Sequence, residues 1–135
     1  MLVKEALLIG KLKKGNVIAG GKGLKREVNF VEVMEVPEVA DWITPGILIM
    51  TTFYSIKDKP EKQIKVVREL INRKTAGLVI KLGRFIDKLP EEVIEMANQN
   101  NFPIISIPSE VSYIKILDPL YERLFNEKQK KRNFC

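Results

Sequence analysis

The sequence from residue 46 to residue 52 is Gly46-Ile47-Leu48-Ile49-Met50-Thr51-Thr52. A short apolar run that begins after a glycine and stops at polar residues is typical of a buried β-strand. Two similar runs follow at 78–82 and 104–107, and longer amphipathic stretches separate the runs. From residue 46 onward this alternation predicts a β-α-β-α-β-α order, which indicates an α/β fold with a mainly parallel sheet flanked by helices.

The first two helical stretches have clear start and stop signals. Apolar side chains recur at helical spacing between Glu61 and Arg73. Pro60 fits the first turn of this helix because the N–H that it lacks would have no partner there. Pro90 begins the next stretch, and Asn100 ends it. Both helices should therefore connect strands and cover the sheet.

The final helix is predicted from about Tyr113 to about Gln129 and has an unusually wide apolar face. Pro119 should kink this helix or mark its true start. We expect part of the face to contact a second subunit or a neighbouring domain, and packing on the sheet alone is the alternative. The residues proposed for this interface are Leu117, Tyr121, Leu124 and Phe125.

The segment before residue 46 should join the same core. It contains a predicted helix around Val3 to Leu8, a strand near Asn16 to Ala19 and a strand from Val28 to Met34. The last strand has apolar residues on both faces, which favours a position inside a sheet. The glycine-rich segment 20–23 lacks the Ser or Thr of a phosphate loop, so we predict a turn with positive φ.

Composition excludes several kinds of function. The chain has 135 residues, of which 45% are hydrophobic and 30% charged, as expected for one globular domain. Its longest apolar runs are too short to cross a bilayer, and Lys4 and Glu5 interrupt any signal-peptide core, so we expect a cytoplasmic location and no membrane partner. The only cysteine is Cys135 and histidine is absent, which argues against a metal, a cofactor and the usual catalytic triads.

The net charge of +6 invites a nucleic-acid interpretation. Four of those charges lie in one tail, which leaves +2 for the rest; they belong to Lys128, Lys130, Lys131 and Arg132. A solvated basic helix end is the more common explanation of such a cluster. Binding of nucleic acid through the tail stays as an alternative function.

Polar residues follow each predicted parallel strand, where ligands commonly bind in open sheets. Glu35 would join them if its strand is parallel to the others. An ammonium, a guanidinium, hydroxyls and a carboxylate could hold a small polar molecule with acceptor-rich edges, whereas solvated loop charges are the plain alternative. The candidate ligand-binding residues are Glu35, Thr51, Thr52, Lys81, Gly83 and Arg84, with Pro108, Ser109 and Glu110 at the third strand end.

A small enzyme that uses Glu35 or Glu110 as a base is a further alternative. The absence of histidine and of a recognisable nucleophile argues against it. Glu91, Glu92 and Glu95 form the densest acidic group, but acidic residues are common in the first turns of a helix.

Nine segments spread over nearly the whole chain have an order and spacing that are together fairly specific, although each segment alone is a weak signal. They begin with Val3-Lys4-Glu5-Ala6-Leu7 and continue with Val17-Ile18-Ala19-Gly20, Gly23-Leu24-Lys25-Arg26-Glu27-Val28, Val33-Met34-Glu35-Val36-Pro37, Ala40-Asp41-Trp42, Leu48-Ile49-Met50-Thr51-Thr52, Gly77-Leu78-Val79-Ile80-Lys81-Leu82-Gly83-Arg84, Leu89-Pro90-Glu91-Glu92-Val93-Ile94 and Phe102-Pro103-Ile104-Ile105. With these segments the chain resembles the N-terminal domain of the PucR-type regulators of purine catabolism. In that family a glycine commonly follows the paired threonines, where this chain has Phe53.

The resemblance implies a non-enzymatic regulatory domain over residues 1–127, followed by a basic tail at 128–135 that begins a connector. It also implies a purine or related metabolite as effector and a homo-oligomer. DNA would be bound only by a C-terminal helix-turn-helix that is not among these residues.

Overall fold

Five strands form one sheet in the computed structural model, which describes residues 1–133. The order across the sheet is β1-β5-β4-β3-β2. Strands β2 to β5 are parallel to their neighbours, and β1 is antiparallel to β5. The strand bounds are β1 Asn16–Ala19, β2 Phe30–Val33, β3 Ile47–Thr51, β4 Gly77–Leu82 and β5 Ile104–Pro108.

Helices cover both faces of the sheet. Side chains of α2 (Pro60–Asn72) and α3 (Glu91–Gln99) pack into one core, and side chains of α1 (Val3–Ala6) and α4 (Ile114–Asn133) pack into the other. The result is a three-layer α/β/α arrangement, which confirms the predicted fold class.

The central strands are buried on both faces, which explains why they are continuously apolar. Ile49 and Leu78 pair in register and point to the core of α2 and α3, whereas Leu48 and Val79 point to the core of α1 and α4. All four side chains are fully buried. Burial of each contributes about 1.5–3 kcal/mol, an amount that conformational entropy opposes.

The predicted bounds of the last helix need correction. The helix begins at Ile114 and ends at Asn133, so it is longer than the sequence indicated. Pro119 lies inside it and does not mark its start. A proline is tolerated there because a helix packed on a sheet is stabilised by its buried apolar face. Residues 134–135, the end of the predicted basic tail, lie outside the described residues.

The strand predicted from Val28 to Met34 is also different in the structure. It is shorter, Phe30–Val33, and lies at an edge of the sheet instead of inside it. The apolar residues on its second face are explained by partial cover: Phe30 remains 42% exposed but stacks against Tyr121 of α4, with ring centroids 5.5 Å apart. An edge strand capped by a helix side chain can therefore resemble a central strand in sequence.

The glycine-rich segment forms the predicted turn. Gly20 has φ +67°, and a Cβ there would lie 1.9 Å from the carbonyl oxygen of Phe102. This position therefore requires glycine for both its dihedral angle and its close approach to the chain before β5.

Candidate functional site

The carboxyl ends of β2, β3, β4 and β5 meet at one edge of the sheet, because these strands are parallel. We call this edge the rim and define it by the strand-end residues and by Tyr113, which follows β5. Glu35 belongs to the rim, since its strand is parallel to β3 and the sequence condition on it is met. The rim residues are Glu35, Thr51, Thr52, Lys81, Gly83, Arg84, Ser109 and Tyr113.

The Glu35 carboxylate is held by the two threonines that end β3. Thr51 Oγ1 donates a hydrogen bond to Glu35 Oε1, and Thr52 Oγ1 donates one to Glu35 Oε2. The backbone N–H of Thr52 also donates to Oε1, with an N···O distance of 2.6 Å. Both threonines are buried, at 1% and 6% exposure. Their hydroxyl hydrogens are therefore committed to Glu35, and any ligand contact would have to use their oxygen lone pairs.

The turn after β3 is built on the same two hydroxyl groups. Thr51 Oγ1 accepts the backbone N–H of Phe53 at 3.1 Å, and Thr52 Oγ1 accepts that of Tyr54 at 3.3 Å. Phe53 has φ +59°, in the left-handed region that favours glycine. Phe53 is only 3% exposed and packs into the core of α2 and α3. Packing of the ring therefore offsets an unfavourable backbone conformation at this position.

Lys81 and Tyr113 meet at the centre of the rim. The Lys81 Nζ lies 4.2 Å from the centroid of the Tyr113 ring, a cation–π contact. The Tyr113 hydroxyl is buried and has no hydrogen-bond partner in the described part of the chain. Within residues 1–133 no ion pair of 4.0 Å or less joins Lys81 to a carboxylate. Two polar groups at the rim are therefore left without full hydrogen bonding.

Electrostatic effects couple these groups to Glu35. Burial and the nearby Arg84 guanidinium lower the pKa of Lys81, and the Glu35 carboxylate opposes that shift. Burial raises the pKa of Tyr113, and the charge of Glu35 raises it further. The charge of Glu35 thus acts on the pKa of both Lys81 and Tyr113, although no hydrogen bond joins Glu35 to either residue among the described residues.

Tyr113 was not among the sequence candidates, which treated it only as the start of the final helix. It lies directly before α4, and its carbonyl oxygen accepts the N–H groups of Ile116 and Leu117 at 2.9 and 2.8 Å. In the sequence, Tyr113 comes only four residues after the candidate Ser109, and this closeness is the signal that it could belong to the same site.

The outer part of the rim consists of stacked aromatic rings and cations. The guanidinium of Arg84 lies 5.4 Å from the Phe85 ring centroid. Phe85 packs edge-on against Tyr54 at 4.7 Å, and Lys57 lies 5.0 Å from the Tyr54 centroid. Arg84 and Lys57 are mostly solvent-exposed. They could reach a bound molecule from the solvent side.

Gly83 leaves open space at the end of β4. Its φ is +99°, and the nearest atom to a Cβ placed there would be Ser109 Oγ at 3.8 Å. Glu110, proposed as a possible base, is exposed. No cluster of three potential metal ligands occurs within the part of the chain that the structure describes.

The interface predicted on α4 is only partly exposed. Leu124 is buried, and Leu117 packs against the core. Tyr121 donates a hydrogen bond from its hydroxyl to the carbonyl oxygen of Val31 at 2.7 Å. Phe125 is 60% exposed. A mostly apolar groove of about 410 Å³ runs between α4 and β2, and its lining residues are Phe30, Tyr121, Leu124, Phe125 and Lys128.

The basic tail continues α4 as an exposed helical end. Lys128, Lys130 and Lys131 are exposed, and the side chain of Arg132 lies outside the described residues. Glu127, just before them, forms an ion pair with the N-terminal amino group at 2.9 Å.

Comparison with known proteins gives a family match for most of the chain. The model of the "Purine catabolism regulatory protein-like family", PucR, matches residues 5–124. The chain belongs to this family. The match includes the rim and about the first half of α4, and it ends before the basic tail.

A relative of this PucR-family chain is the purine catabolism regulatory protein of Bacillus subtilis (strain 168). The two are 35% identical over 111 residues, which is 82% of this chain and 21% of the relative. The chain thus spans about one fifth of the length of that relative. No solved structure matches the chain. None of the helices in the described part combines the length and apolar character needed to cross a bilayer.

Proposed function

We propose that the chain is the effector-sensing and self-associating module of a regulator of purine catabolism, with no catalytic activity of its own. Family membership supports the regulatory role. In this proposal a small purine or related metabolite binds at the rim and favours one arrangement of α4 over another. A ligand shifts such an equilibrium only by the difference between its affinities for the two states.

The incompletely bonded polar groups at the rim are the observation that carries the proposal. Lys81 stacks on Tyr113 without a carboxylate partner, and the Tyr113 hydroxyl is buried without an acceptor. Buried polar groups are normally hydrogen-bonded, so an unpaired one beside a partly buried ammonium indicates a missing partner. Arg84 and the open space at Gly83 complete the proposed site, and the two threonines fix Glu35.

Absence of catalysis is proposed because the chain has no histidine to act as a general base near neutral pH, and three hydrogen bonds hold the Glu35 carboxylate in place. DNA binding is assigned to a helix-turn-helix elsewhere in a longer regulator, and the module is placed in the cytoplasm.

Isothermal titration calorimetry with purines and their breakdown products tests the proposal. Lys81→Ala and Arg84→Ala should each weaken binding. Lys22→Ala is the matched control, because it removes the same charge from the turn after β1. The end of β1 pairs with the start of β5, so this turn lies at the end of the strands opposite to the rim. Equal binding by the wild type and both rim variants would refute the site, and the absence of binding by every compound would refute the sensing role.

A further inference from the structure

We propose that a groove lined by lysines beside α4 binds the phosphate backbone of duplex DNA, independently of base sequence. This activity goes beyond effector sensing and adds a second DNA contact to the helix-turn-helix assigned to a longer regulator. The groove lies between α4 and a short 3₁₀ helix, Gly10–Lys14, and has a volume of about 630 Å³. We call it the lysine groove, and its cations are Lys11, Lys13, Lys14 and Lys115.

The packing of the 3₁₀ helix places its lysines in solvent. Leu12 is fully buried in the core of α1 and α4 and anchors the segment there. Gly10 has φ +54°, and a Cβ at this position would lie only 2.6 Å from Pro119 Cγ. The glycine therefore lets the segment lie directly against α4. The side chains left exposed by this packing are those of Lys11, Lys13 and Lys14.

The positive charge of the lysine groove is not neutralised by the described part of the chain. Within residues 1–133 none of its four exposed lysines forms an ion pair of 4.0 Å or less with a carboxylate. Asp118 is the only carboxylate among the described residues that line the groove. Lys115 also lies in the first turn of α4, where a cation is unfavourable for the helix. Because like charges repel, folding does not explain this cluster, whereas an anionic partner does.

A groove on the opposite face of the sheet has balanced charges instead. It lies beside α2, and its three carboxylates match its three cations among the described lining residues. Residues 28–113 as a whole contain ten lysines and arginines and twelve acidic residues. The excess positive charge therefore lies before residue 28 and after residue 113, in the segments that form the lysine groove and the basic tail.

The kind of side chain favours the phosphates of a duplex over other anions. Lysine binds phosphate as a point charge, whereas paired carboxylate oxygens favour arginine, and the described lining contains no arginine. It contains no aromatic ring either, although proteins that bind single strands commonly stack bases on such rings. A duplex offers one negative charge for about every 1.7 Å of its axis. Because the chain belongs to a regulator family, DNA is the polyanion that this groove would meet.

The test is fluorescence anisotropy of the intact chain with a labelled DNA duplex of mixed sequence, over a series of salt concentrations. The groove variant replaces three exposed lysines by alanine together: Lys11→Ala, Lys13→Ala and Lys14→Ala. At about 50 mM salt we expect this variant to bind the duplex at least about tenfold more weakly than the wild type. The plot of log affinity against log salt should also become less steep by about 2 to 3.

Two triple variants are the controls, and urea unfolding checks that all three variants are folded. The first removes the same charge from the exposed start of α2, through Lys59→Ala, Lys62→Ala and Lys65→Ala. Its affinity should stay within about twofold of the wild type, because salt screens distant charges. The second removes the exposed lysines of the basic tail and should weaken binding less than the groove variant does; its changes are Lys128→Ala, Lys130→Ala and Lys131→Ala.

Four results would overturn the proposal. Equal losses in the groove and α2 variants would mean that net charge alone attracts DNA. A larger loss in the tail variant would assign DNA to the basic tail. Binding of poly-glutamate as tight as that of the duplex would assign the groove to an acidic protein, and no binding of the duplex at about 50 mM salt would exclude DNA as its partner. Effector binding at the rim is measured separately and is not affected by any of these results.

Discussion

Glu35 and Thr52 are joined by two hydrogen bonds, one from the backbone N–H and one from the hydroxyl of the threonine. Thr51 adds a third to the same carboxylate. The ends of the neighbouring strands β2 and β3 are therefore tied together by one side chain, and this arrangement fixes the only carboxylate among the rim residues.

Glu35→Ala should destabilise the fold by about 2–4 kcal/mol, because it leaves the donors of two buried threonines without an acceptor. Urea unfolding measures the change. Glu38→Ala is the control, since Glu38 is exposed like Glu35 but accepts no side-chain hydrogen bond from the described residues. A loss below about 0.5 kcal/mol in Glu35→Ala, comparable to surface substitutions, would contradict the role of the hydrogen bonds.

At position 53 the glycine variant should be more stable than the alanine variant, which is the reverse of the usual order. Both Phe53→Ala and Phe53→Gly lose the buried ring, at a cost of about 3–5 kcal/mol for alanine. The glycine variant should nevertheless be more stable than the alanine variant by about 1 kcal/mol, because φ is +59°. At Val67, buried within α2, the order should be the usual one, with alanine more stable. Alanine equal to glycine at position 53 would show that the left-handed backbone is not retained.

Tyr113 should make the fold sensitive to high pH. Its pKa in the folded state is raised, so the folded protein keeps a proton that the unfolded chain loses near pH 10. The resulting stabilisation is present below about pH 10 and is lost as the pH rises toward the folded pKa. Tyr121 and the lysines also titrate in this range, so the informative quantity is the difference between the wild type and Tyr113→Phe.

Unfolding free energies measured at about pH 9 and about pH 11 give that difference, because these values lie on either side of the pKa of tyrosine in the unfolded chain. The wild type should lose more stability than Tyr113→Phe. Parallel losses would mean that the tyrosine ionises normally in the folded protein.

Phe125 is the residue whose change should most affect self-association. It is exposed and lines the apolar groove with Phe30 and Lys128. Phe125→Glu should shift sedimentation equilibrium toward monomer and leave unfolding within about 0.5 kcal/mol of the wild type. Asn126→Glu adds the same charge at the neighbouring exposed position, outside the groove lining, and should leave association unchanged. A monomeric wild type, or equal association by both variants, would refute this interface.

The central strands are well predicted because strands buried on both faces are continuous apolar runs in the sequence. Strands β3, β4 and β5 are within one residue of their predicted bounds, and their polar ends share one edge. Helices α2 and α3 connect β3 to β4 and β4 to β5, and this connection predicts that the three strands are parallel and that their polar ends lie together.

The remaining features depend on tertiary neighbours. Phe30 looks like a core residue until the aromatic ring of α4 covers a sheet edge beside it. The role of Tyr113 requires the end of β4 and the start of α4 to be adjacent, which spacing along the chain does not reveal. The hydrogen bonds from the threonine hydroxyls to Glu35 form only because β2 is the strand next to β3, which the sequence does not specify.

Calorimetric titration of the intact chain with xanthine, uric acid, hydantoin and allantoin, in parallel with Lys81→Ala, tests the central claim most directly. We predict saturable binding of at least one compound by the wild type and by Lys22→Ala, and clearly weaker binding by Lys81→Ala. Identical titrations for the wild type and Lys81→Ala would contradict an effector site at the rim.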